Sequence, residues 1–367
     1  MPDASFQPDW FSKPGDTLLT LMEQRELSSE TLAHRLGCKQ SVIHGLLSGA
    51  VAVDDAFAEG LAKYVGGTPA FWRTRQTKYV EALDRAADAV PKDRGAEWLR
   101  HFPHRDIADY GWVASGSSRE NLVKAYLAYF GVSTPEEWSE RYESSMKETA
   151  FRTSPTFSSR VGAISAWLRR GEIEASAISS GEWNPKRLRQ SIQSMRVLTR
   201  ARAPSYFLPR LRRLCAEAGV AVVFVRAPSG CTASGATRFI SPDKAMVILS
   251  FRYLSDDHFW FTFFHELGHL LLHKSSLTFV DGEPGISGAL ESEANDFAAD
   301  VLIPRDRRDE LMDLPARSKQ IMRFAYSLGV SSGIVVGQLQ HRSVIRRNQM
   351  NGLKRRFNWQ QITSVIS

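Results

Sequence analysis

Cysteine is scarce: Cys38, Cys215 and Cys231 are odd in number and far apart. That spacing excludes a disulfide framework and a cysteine-based zinc site, and fits reduced thiols. Long apolar runs are missing too, since no stretch approaches the roughly 20 residues that cross a bilayer. The opening segment, MPDASFQPDWFSKPGD, lacks the charged-then-apolar order of a signal peptide. The expectation is a cytoplasmic protein with no membrane partner. There is no internal repeat and no low-complexity tract. With 43% apolar and 24% charged residues over 367 positions, the chain reads as globular, with two or three domains.

What is present is concentrated in one run, FFHELGHLLLH, ending at His273. It sets four polar groups among residues that otherwise read as protein interior. A buried imidazole or carboxylate without a partner costs several kcal/mol, about 2–7 even for neutral groups, so these groups need something to bind. On a helix, His265 and His269 stand one above the other at i and i+4 and can address a single ion. Glu266 lies one residue further round. This is the His-Glu-x-x-His arrangement, in which two histidines hold zinc and the glutamate acts as general base toward water on the metal. His273 continues the series but sits about 12 Å from His265 along the axis, at 1.5 Å per residue. His273 is read as a residue that supports the ligands or the fold rather than as a ligand.

A zinc site of this kind wants a third protein ligand and an open position. Downstream, after the loop FVDGEPGISG, comes ALESEANDFAADVLIP, with apolar residues at helical spacing. Glu293 is four residues before Phe297 and eight before Val301, so it is expected to project from the buried stripe. Glu293 is therefore the expected third ligand, with Glu291 as the alternative. The remaining reading makes both of them solvated first-turn acids favoured by the helix dipole.

HELGH at 265–269, EANDFAA at 293–299 and LIP at 302–304 together resemble the ImmA/IrrE metallopeptidases. The resemblance implies a zinc-dependent endopeptidase of gluzincin type, with one Zn2+ per chain and Glu293 in the carboxylate position. It also implies a typical protein substrate, a helix-turn-helix repressor or antitoxin-like protein cut in response to stress or phage signals. Upstream, AGVAVVFVR and AMVILSF read as β-strands, with a third strand expected between them. Such enzymes hold substrate as an added strand on a sheet edge. The 245–251 run is the candidate edge, or else an ordinary core strand. His258, Tyr253 and Arg238 are unranked candidates for stabilising the oxyanion.

Residues 19–49 carry a second signature. Ser28 or Ser29 can cap a helix that Gly37 ends, and a further helix follows from about Lys39 to Leu47. Two short helices joined by a glycine-containing turn form a helix-turn-helix. Residues 13–80 resemble the XRE class, and within it antitoxins of HigA type. The resemblance implies DNA binding through Lys39, Gln40, Ser41 and His44 on the second helix. Across this segment basic and acidic side chains nearly balance, which is weak for a DNA reader, because phosphate neutralisation supplies most non-specific affinity. A protein-binding or dimerising module of the same fold, with a homodimer among its forms, is the other reading.

Beyond residue 304 the balance shifts, with Arg342, Arg346, Arg347, Lys354, Arg355 and Arg356 giving a basic patch that can meet nucleic acid, an acidic partner or solvent alone. FAYSLGVSSGIVVGQLQ before them reads as another helix-turn-helix-like unit. The expected fold class is α+β, mostly helical. A five-helix helix-turn-helix domain spans 1–80 and a helical connecting region 81–205. A small-sheet, gluzincin-like zinc peptidase core spans 206–304, and a basic helical segment 305–367. Two functions compete. One is a zinc endopeptidase fused to an XRE-type domain that cleaves a regulatory protein to control transcription. The other is a DNA-binding regulator whose peptidase-like domain senses a metal or ligand and cleaves nothing. The intact Glu266 favours the enzyme, because holding a metal does not require a base.

Overall fold

The computed structural model describes residues 12–49, 51–113, 118–143, 155–273, 279–280 and 288–366. It is mostly helical with one small sheet, in agreement with an α+β class. The chain divides into two compact units, one formed by residues up to 179 together with 228–231, the other by 180–227 and 232–367. The sequence reading had placed divisions at 80, 205 and 304.

In the first unit five helices come in succession: α1 (Pro14–Gln24), α2 (Ser29–Leu36), α3 (Gln40–Ser48), α4 (Asp55–Tyr64) and α5 (Pro69–Ala89). Local signals account for their ends. The Ser28 hydroxyl accepts from the Thr31 N–H, Asp54 from Phe57 and Thr68 from Phe71, each satisfying an orphan donor of a first turn. Gly37 stops α2 at φ 65°, a conformation that costs a glycine nothing. Leu32, Ile43, Leu61 and Trp72 are fully buried between these helices. Further helices, including α8 (Arg119–Phe130), continue the unit. Trp98, Phe102, Tyr126, Phe130 and Trp138 pack edge-to-face and stacked there, as core. Trp167, on α10 (Pro155–Ser176), is fully buried as well.

The second unit is built on β1 (Val220–Phe224), β2 (Gly235–Ser241), β3 (Lys244–Leu249) and the two-residue β4 (Phe279–Val280). Their order is β1-β3-β2-β4, with β1 parallel and β2 antiparallel to β3. The 245–251 run therefore does not form an edge; it lies between two neighbours, and its apolar residues are buried because both faces are covered. Against the sheet lies α13 (Asp256–Leu272), apolar nearly all round and accordingly buried. α14 (Gly288–Leu302) packs across it.

Two elements hold these helices in ways the sequence did not suggest. α11 (Pro185–Leu198), read from sequence as part of a connecting region, belongs to the second unit and caps both of them. Arg189 donates to the Leu271 carbonyl at 2.8 Å, and Arg196 to the Val301 and Leu302 carbonyls at 2.6 and 3.2 Å. Cations at helix C-termini both satisfy orphan carbonyls and favour the dipole. The helix-turn-helix-like pair α16 (Ser318–Leu328) and α17 (Ser332–His341) packs its second helix on α13, with Ile334, Val335 and Val336 buried.

Half of the basic patch is structural as well. Lys354 pairs with Asp257 at 2.6 Å, each side chain 7% exposed. Arg355 donates to the Thr199 and Ala201 carbonyls, and Arg356 to that of Tyr253. Arg346 and Arg347 remain exposed.

Candidate metal centre

The i, i+4 spacing on α13 brings the two histidines together as expected: their Nε2 atoms are 2.9 Å apart. Both side chains are nearly inaccessible to solvent. The third group is Glu291, not Glu293. The Glu291 carboxylate lies 3.3 Å from each Nε2, whereas Glu293 is more than half exposed and meets His273 Nε2 at 3.2 Å. The rotation of α14 explains this placement. Its fully buried positions are Ala294, Ala298 and Leu302, and Glu291 stands three, seven and eleven residues before them. Phe297 and Val301, which suggested Glu293, are only partly buried.

This rotation depends on a close approach of the two helices. A Cβ added to Gly268 would meet Ala294 Cα at 3.1 Å and the Phe297 ring at 3.2 Å. The glycine within HELGH and the alanine facing it thus set how near Glu291 comes to the histidines.

Several neighbours orient the donors. His265 Nδ1 is 3.0 Å from Asn295 Oδ1, an acceptor, which holds a proton on Nδ1 and aims Nε2 into the cluster. His269 Nδ1 meets His273 Nδ1 at 2.9 Å, so His273, the C-cap of α13, links His269 to Glu293. Asn295 is a partner the sequence reading missed; its signal was its position within EANDFAA, two residues after Glu293 and four, one helical turn, after Glu291.

The donor set fits a divalent ion. Two imidazole nitrogens and a carboxylate oxygen all lie within 4.8 Å of one another. With bonds of 2.0–2.1 Å, a tetrahedral zinc separates its ligand atoms by about 3.3 Å. The distances of 2.9 and 3.3 Å are close to that. Burial lowers the basicity of His269, opposed by its hydrogen bond to Glu291. Burial pushes the Glu291 carboxyl up, but the hydrogen bonds from His265 and His269 outweigh it and bring its pKa to about 2. A carboxylate held below its usual range beside two buried imidazoles fits a cation.

Glu266 is fully buried beside this cluster. It stands where β2 passes at Gly235, and the Thr237 hydroxyl reaches the Glu266 carbonyl at 3.4 Å.

Residues 215–339 match the family model of peptidase M78, the IrrE N-terminal-like domain. The match runs from before β1 to within α17 and includes both histidines, Glu266 and Glu291. It supports a metallopeptidase of ImmA/IrrE type for this part of the chain. Comparison with curated proteins and with solved structures gives no match.

The four positions expected to contact DNA are placed differently from one another. Lys39 is exposed at the start of α3. Gln40 donates to the Ser29 hydroxyl at 2.8 Å, and His44 is 8% exposed. Ser41 lies in α3, but its side chain is outside the described residues. From Ile43 to Ser48 α3 is buried, with α1, α2 and α10 against it and Ala177 packed into the same core. Among the oxyanion candidates, Tyr253 and His258 stack with ring centroids 4.2 Å apart, and Arg238 lies on β2.

Proposed function

We propose that the second unit is a zinc-dependent endopeptidase in which His265, His269 and Glu291 hold the ion and Glu266 is the general base. The observation that carries this reading is the convergence of two imidazole nitrogens and a carboxylate beside a buried glutamate that is not needed as a ligand. When bound, a divalent ion acidifies water and polarises a peptide carbonyl. The chain's own residues do the rest. The Glu266 carboxylate takes the proton from the attacking water and returns it to the leaving amine nitrogen. Asn295 and His273 keep the two imidazoles in register, and the packed helices around the site exclude bulk water.

The substrate we infer is a regulatory protein, a helix-turn-helix repressor or antitoxin-like protein, so that cleavage changes transcription. For the N-terminal helices, the burial of His44 and the engagement of Gln40 support the reading as a protein-binding or dimerising module over that of a DNA reader. The test is to incubate the purified full chain with repressors encoded near it and to identify products by mass spectrometry, with and without a chelator. Metal-dependent cleavage at a defined bond is expected. Absence of cleavage by zinc-loaded protein toward all of them would favour a sensing role for the metal.

A further inference from the structure

A cavity of about 540 Å³ opens on the second unit, in the size range of small-molecule and peptide side-chain sites. His258 and Phe261 line it from α13, seven and four residues before His265, and so lie on the helix face that carries the metal donors. The Phe261 and His265 rings are 6.4 Å apart. Leu302, at the end of the helix that supplies Glu291, lines it too. The cavity therefore begins one helical turn from the first metal donor.

Its charge is one-sided. Arg347 and Arg356 line it, with His341 beside them. The single carboxylate among the lining residues, Asp257, is already neutralised by Lys354 at 2.6 Å. Arg347 makes no ion pair among the described residues, and the Arg356 guanidinium meets only the Tyr253 carbonyl. The wall that presents Arg347 is fixed in advance. Gln340 Nε2 donates to the Arg347 and Gln349 carbonyls at 3.1 and 2.8 Å, while its Oε1 accepts from Lys354. Arginines on a braced backbone beside apolar Phe261, Leu302 and Ile334 suit a carboxylate on an aliphatic stem.

We propose that this cavity is a specificity pocket that receives acidic side chains of the polypeptide substrate next to the scissile bond, with Arg347 and Arg356 as the recognising cations. The inference rests on the peptidase reading for its role, but its test reads binding without turnover. Full-length protein carrying Glu266→Gln is titrated into two dansylated peptides, Ala-Glu-Leu-Glu-Ala and Ala-Lys-Leu-Lys-Ala, and fluorescence anisotropy is followed. The glutamate peptide is expected to bind about tenfold more tightly or better, the worth of one charge pair of about 1.4 kcal/mol. Arg347→Glu and Arg356→Glu, tested separately with folding checked by circular dichroism, should each erase that preference.

Equal binding of the two peptides overturns the proposal, as does a preference untouched by either reversal. Inorganic phosphate is the second probe. Phosphate that binds through Arg347 in protein showing no affinity for the glutamate peptide would assign the cavity to a free anion and overturn the polypeptide reading. If the arginines select the acidic peptide yet zinc-loaded protein with Glu266 intact cleaves nothing, the peptidase reading would sink and the pocket would stand.

Discussion

A methyl group on Gly235 would stand 2.6 Å from Glu266 Oε1 and 2.6 Å from Thr262 Cγ2: strand and metal helix meet there with no room for a Cβ. One of the two nearest atoms is the carboxylate tip of the fully buried Glu266, so Gly235→Ala should displace that carboxylate rather than the backbone. An ångström of misplacement at a reacting group can cost about 100-fold, whereas mild overpacking costs about 1–3 kcal/mol. Gly235→Ala is expected to keep its metal and its fold while losing most of its cleavage rate, measured as kcat/KM beside metal content. Undiminished cleavage would show that Glu266 does not depend on that gap.

The choice of Glu291 over Glu293 is open to a direct metal assay. Glu291→Ala should purify with little or no zinc, because it removes one of three converging donors. Glu293→Ala should stay loaded, with its affinity lowered by at most the roughly 10–100-fold typical of partners that orient a ligand, since it contacts only His273. The reverse pattern would restore Glu293 as the ligand.

In the first unit, burial and then the nearby Arg169 pull the Lys13 ammonium down to a pKa of about 8. The folded state then loses this proton before the unfolded state does. The cost of holding Lys13 charged is fully present below about pH 8 and is relieved as the pH rises toward the unfolded value near 10.4. Lys13→Met should therefore stabilise this unit at pH 7 by about 1–3 kcal/mol. Thermal melts of both proteins should show that advantage shrinking between pH 8 and 10.

Lys354 and Asp257 are both almost completely buried, and removing one leaves the other uncompensated. Lys354→Ala should cost about 3–5 kcal/mol, read from denaturant unfolding, whereas Lys354→Ala with Asp257→Ala should recover a large part of it. An unchanged midpoint in the single variant would mean that the C-terminal segment does not brace α13.

The histidine pair was legible in the sequence because i, i+4 on a helix is a purely local geometry. The capped helix α2 was legible for the same reason, through Ser28 and Gly37. Which first-turn acid of α14 faces the metal depends on the helix's rotation, a tertiary property. Its clue lay in the small residues: Ala294 and Ala298 mark the face that Gly268 lets approach, while the bulkier Phe297 and Val301 drew attention to the wrong one. Strand order was hidden because an apolar run announces a strand but not its neighbours, so β3 was left open between an edge and a core strand. Charge counting likewise could not show that Lys354, Arg355 and Arg356 are turned onto Asp257 and backbone carbonyls.

The central claim is that Glu266 acts on protons and not on the metal, and Glu266→Gln tests it most directly. The substitution keeps the shape and removes the base. Zinc content and fold should match the unaltered protein, while cleavage of the regulatory substrate falls by about 100-fold or more. Full cleavage, or full regulation in cells, by a zinc-loaded Glu266→Gln protein would contradict the account and leave the metal structural or sensory.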